Sequence, residues 1–202
     1  MKLIDDLLNK VTMYKLVLYG LLILVGLSVI FGFIGWLPYG GTSLLYSMIL
    51  LAVVCYITNY FLANFFKVQT NTESYLITAL ILFFILFPIG GLADIKIFIL
   101  VGVLAMASKY LLAVGKKHIF NPTALAVFVV GLFGSGAVSW WVGNTVLILP
   151  VLILGFLVLR KVQRFKLFSA FLLTSMVGIF GFGLFHGAGL LQIFKQAFLS
   201  SP

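Results

Sequence analysis

Seven apolar runs divide the chain, near residues 16–35, 44–65, 75–88, 97–114, 121–133, 145–159 and 167–185. Between them lie short polar or glycine-containing gaps: GWLPYGGTS, KVQTNTES, PIGGLADIK, GKKHIFNP, GSGAVSWWVGN and RKVQRFK. A helix needs about 20 apolar residues to cross a bilayer, so most of these runs have the length of a span. The third and fifth are shorter. The pattern predicts an all-α fold, a polytopic transmembrane helical bundle of about seven segments with two short ones. No linker or soluble module interrupts it, so residues 1–202 read as one membrane domain. Residues 1–15 form a mixed-charge amphipathic lead-in, and no small-residue cleavage site follows them, so no removable signal peptide is expected. Residues 187–202 read as an interfacial helix or as the start of a further, truncated span.

Composition supports this class. The chain is 63% hydrophobic and 8% charged, with a mean hydropathy of +1.27, far from the usual soluble mix of about half apolar and a quarter charged. Thirteen Lys and Arg oppose four acids. With the N-terminus in the cytoplasm, eleven of the basic residues fall at or inside the inner boundary, and only Lys96 and Lys195 fall outside. That bias sets the expected orientation. It also makes the charge topological, so no nucleic-acid partner is expected; lipid is. All three tryptophans, Trp36, Trp140 and Trp141, then fall at the outer boundary as an aromatic belt. The expected location is the inner (cytoplasmic) membrane of a bacterial-type cell, with multiple passes.

Start signals refine two of the helices. Thr70 and Glu73 have capping-box spacing before the third run. Asn121 suits an N-cap and Pro122 the first helical position of the fifth.

Most soluble-enzyme chemistry is absent. Asp5 and Asp6 lie in the lead-in, Glu73 reads as a cap and Asp94 as a loop residue, so no carboxylate relay is expected within the spans. Cys55 is the single cysteine, and His118 and His186 fall on opposite sides, which excludes a disulfide and speaks against a metal or bis-histidine haem site. No phosphate loop or dinucleotide fingerprint occurs. What remains is KKHIFNP: Lys116, Lys117 and His118 stand before a helix tip at Asn121. Such a tip offers free N–H groups and a positive dipole end to an anion or to the carbonyl edge of a flat ligand. A cluster of lysines at an inner membrane face, where a helix happens to begin, explains the same residues without a ligand.

NTESYLITALILFFILFP and ASKYLLAVGKKHIFNPTALAVF resemble the RnfD/NqrB family, the membrane subunits of ion-pumping, flavin-dependent electron-transfer complexes. The matching positions are Glu73, Thr78, Pro88, Lys109, Gly115, Phe120, Asn121, Pro122 and Ala124, and the likeness covers about residues 68–130. SWWVG, an apolar span and RKVQRF are similar to members that stand beside a ferredoxin-reductase-like module. The resemblance implies a membrane domain of two related halves holding a flavin, riboflavin or FMN, non-covalently. Asn121 would lie against the flavin, with His118, Thr78, Lys109, Lys116 and Lys117 near it. His118 departs from the family's residue type. Many members also carry FMN on the threonine of an S-G-A-T motif. Here the run is SGAV, with Val138 in place of the hydroxyl, so no covalent FMN is expected. The family's second-half proline-threonine motif is missing.

The function expected from this resemblance is electron transfer, as a redox subunit of an oxidoreductase complex. It would relay electrons between a cytoplasmic reductase module, or other electron-transfer subunits, and a membrane or extracytoplasmic acceptor. The two short runs also fit the broken helices of a small-solute channel or permease. A structural anchor for a soluble reductase is the third possibility.

Overall fold

In a computed structural model the chain is described over residues 10–69, 71–114, 117–133, 138–187 and 189–193. The described residues are mostly helical: α1 (Met13–Ile34), α2 (Gly41–Phe66), α3 (Thr72–Ile85), α4 (Leu92–Leu111), α5 (Pro122–Leu132), α6 (Ile148–Val162) and α7 (Phe165–Phe185). One two-residue antiparallel pair, β1 (Ala113–Val114) with β2 (Lys117–His118), turns the chain between α4 and α5. The seven helices follow the seven apolar runs. Helices α1, α2 and α7 are long and apolar enough to cross a membrane, and α3 and α5 are shorter apolar helices.

Local chemistry explains where the helices begin and end. Thr12 caps α1 by accepting from Lys15 N, and Gly35, at φ +82°, closes it in the left-handed conformation that costs glycine nothing. The α3 cap is Asn71, whose side chain accepts from Glu73 N at 3.1 Å. Thr70, the residue that spacing favoured, lies outside the described residues. The carboxylate of Asp94 accepts from Gly90 N and Gly91 N, both at 2.9 Å, and fixes the start of α4. Asn121 caps α5 and Pro122 occupies its first turn, as the sequence implies.

Helices α1 to α5 enclose the core, in which Leu44, Leu51, Leu82, Phe83, Val101, Ala105 and Met106 are fully shielded. Small residues let the helices approach. A Cβ on Gly32 would meet Leu44 Cδ1 at 2.7 Å, and one on Gly102 would meet Val54 Cγ1 at 2.7 Å. Helix α6 packs on α1, whereas α6 and α7 bury none of their own residues.

Of the two short helices, α3 ends inside this core at buried Leu86, whereas Leu132 and Phe133, at the end of α5, are exposed. At 14 and 11 residues the two helices rise about 21 and 16 Å. After Ile85 the chain runs non-helically to Gly91, and Leu86 forms an antiparallel bridge with Val138, just beyond α5. Backbone that leaves a helix in apolar surroundings must find partners. Ser139 N donates to Ile85 O at 2.7 Å, and Trp141 Nε1 donates to Phe83 O at 2.9 Å. Helix α2 supplies two hydroxyls: Ser47 Oγ accepts from Ile89 N at 2.8 Å, and Ser43 Oγ donates to Ile89 O. Trp141, expected in a lipid-facing belt, is instead buried with its ring edge-on to Phe83 and Tyr39; Trp36 and Trp140 are the exposed pair.

Candidate functional site

The expected site residues fall into two groups. Thr78 and Lys109 are both buried, and they meet at a residue the sequence did not single out, Ser74. Lys109 Nζ donates to Ser74 O at 2.9 Å and to Ser74 Oγ at 3.1 Å, and Thr78 Oγ1 donates to the same carbonyl at 2.9 Å. Lys109 lies in the last turn of α4, where the helix dipole favours a cation. Its ammonium ties that turn to the first turn of α3. Ser74 precedes Thr78 by one helical repeat, the sequence sign that the two share a face.

Nearby, Tyr110 Oη donates to Asn59 Oδ1 at 2.8 Å and joins α4 to α2. Sequence reasoning missed this contact; its signal is Asn59, an asparagine within an apolar helix. Among the described residues, every buried side-chain nitrogen or oxygen has a partner. The buried part of the site is therefore complete by itself.

Asn121 differs. It is exposed, and its side-chain oxygen accepts from Thr123 N at 3.1 Å and Ala124 N at 3.5 Å. The cap uses the oxygen alone, which leaves the two N–H donors of the amide for another acceptor. Ile119 and Phe120, immediately before it, are exposed as well, so among the described residues the α5 tip is open to its surroundings. The backbone of Lys117 and His118 belongs to the β1–β2 turn that leads to this tip. Lys116 lies outside the described residues, as do the side chains of Lys117 and His118. Of SGAV, only Val138 is described, and its backbone serves the bridge to Leu86.

A flavin presents a flat apolar ring with a polar rim of carbonyl and imide groups, which an amide donor beside an aromatic side chain can meet. Asn121 and Phe120 fit that demand. The hydroxyl hydrogen of Thr78 is directed to Ser74 O, and the ammonium of Lys109 donates to Ser74 as well. Among the described residues no group of three or more His, Cys, Asp or Glu could hold a metal ion. No protein-family model, no curated protein and no solved structure matches the chain.

Proposed function

We propose that this chain is a multi-pass subunit of the inner membrane, with its N-terminus in the cytoplasm, that carries electrons through a non-covalently held flavin at the α5 tip. The observation that carries this reading is Asn121: an exposed cap whose amide N–H groups remain for a ligand, next to an exposed aromatic ring. Bound there, riboflavin or FMN would supply redox chemistry that no side chain of this protein supplies. Asn121 would donate to the carbonyl rim, Phe120 would cover the ring, and the dipole of α5 together with buried Lys109 would place positive charge on the same side. The donor and acceptor sides would be a cytoplasmic reductase module and a further electron-transfer subunit.

Absorbance of the purified protein tests the proposal. A flavoprotein shows bands near about 370 and 450 nm, a general property of the cofactor. A preparation without them, even after incubation with riboflavin and FMN, sinks it.

A second reading has its own observation. Two short apolar helices, α3 and α5, with a backbone bridge between Leu86 and Val138 beyond their ends, have the form of the broken helices in transporters. A small-solute permease would then move solute across liposomes containing this chain alone, whereas an electron carrier would not.

A further inference from the structure

A groove of about 370 Å³ runs between α1, α6 and α7, lined by Val17, Gly20, Leu24, Leu154, Gly155 and Phe168 among others, all apolar. Its floor is made by a close approach in which a Cβ on Gly20 would meet Leu154 Cδ2 at 3.3 Å. Its mouth is widened by Gly155, around whose Cβ position nothing lies within 4 Å. Along α1 the lining runs from Val17 to Leu24, about 10 Å at 1.5 Å per residue, which suits a stretch of alkyl chain.

One end of this groove is strongly basic. Lys15 stands two residues before Val17, Arg160 and Lys161 follow the lining residue Leu159, and Arg164 and Lys166 precede Phe168. Lys15, Arg164 and Lys166 are exposed. Residues 10–34 and 148–185, which make up these elements, contain no Asp or Glu. An apolar slot that opens onto a cluster of cations matches a molecule with an alkyl chain and a negatively charged head. We propose that the groove is a binding site for an anionic phospholipid, with an acyl chain along Gly20 and Gly155 and the phosphate among Lys15, Arg164 and Lys166 at the α6–α7 turn. The proposal rests on the chain residing in a membrane and is independent of the flavin.

The test is native mass spectrometry of the full chain in detergent, titrated with phosphatidylglycerol or with phosphatidylcholine of the same acyl chains. Phosphatidylglycerol should be retained at concentrations at least about tenfold lower than phosphatidylcholine. Arg164→Gln with Lys166→Gln should weaken phosphatidylglycerol by about 25-fold, roughly fivefold for each basic residue removed, and leave phosphatidylcholine unchanged. Gly155→Leu fills the slot and should weaken both lipids. Equal retention of the two lipids by the wild type overturns the proposal. So does an unchanged preference in the charge variant, or unaltered binding in Gly155→Leu. If Gly155→Leu does not fold, the charge variant decides, because Arg164 and Lys166 are exposed. Flavin absorbance should be the same in every variant, so loss of either proposal leaves the other standing.

Discussion

Replacing Trp141 by phenylalanine should destabilise the fold far more than the same change at Trp140. Trp141 is 1% exposed, and its indole N–H satisfies Phe83 O at 2.9 Å, a carbonyl in the last turn of α3. The last carbonyls of any helix lack partners within it, and here the surroundings are apolar. Phenylalanine retains a ring against Phe83 and Tyr39, but it leaves the carbonyl unsatisfied, at a cost of about 1–3 kcal/mol. The missing part of the indole removes further packing, so the sum is about 2–4 kcal/mol. For a chain of this length each kcal/mol shifts Tm by about 2–4 °C, which predicts a fall of roughly 5–15 °C. The single cysteine provides the assay: Cys55 is fully buried, so a thiol-reactive fluorophore reports unfolding in detergent. Trp140 is 54% exposed, and Trp140→Phe should stay within about 0.5 kcal/mol of wild type. A Trp141→Phe melting curve within about 2 °C of wild type would refute the claim that this indole completes α3.

Other substitutions test the remaining sites with the same assay. Asn121→Ala should cost about 1 kcal/mol through loss of the cap and should abolish flavin absorbance. Asn121→Ser should keep the cap and still lose the flavin, which separates the amide's two roles. Lys109→Ala should lower stability by about 2–4 kcal/mol, because it removes both a buried stem and the tie to Ser74; an unchanged Tm would show that α3 is held without it. Gly102→Leu should cost at least about 1–3 kcal/mol through its clash with Val54. Gly131→Ala, with nothing within 4 Å of its Cβ, should be neutral or gain up to about 1 kcal/mol.

The helices were legible in the sequence because their signals are local. Apolar runs bounded by Thr70 and Glu73 and by Asn121 and Pro122 place the starts of α3 and α5 within a few residues, whereas Asn71 is the actual cap of α3 and Asp94, read as a loop residue, lies in the first turn of α4. The shortness of α3 and α5 was legible too, but its cause was not. Ser43, Ser47, Trp141 and the backbone of Ser139 complete the backbone around Ile85–Ile89 from distant parts of the chain, and nothing local to these residues marks that task. Trp141 was assigned to a lipid-facing belt because periodicity says nothing about which neighbour will cover a ring. At the candidate site, Asn121 was readable from the Asn-Pro pair alone. The meeting of Lys109 with Thr78 at Ser74 depends on how α4 leans on α3, a tertiary relation that spacing does not encode.

The tie between Phe83 and Trp141 spans 58 residues, and this has a consequence for biosynthesis. When α3 emerges from the ribosome, the groups that satisfy its final turn have not been translated. Until the stretch around Trp141 arrives, the carbonyls of Phe83 and Ile85 have to use other partners, such as water or the amides of the residues that follow. The final form of the α3 end is therefore reached only after α4 and α5 have been made, so the three settle as a group.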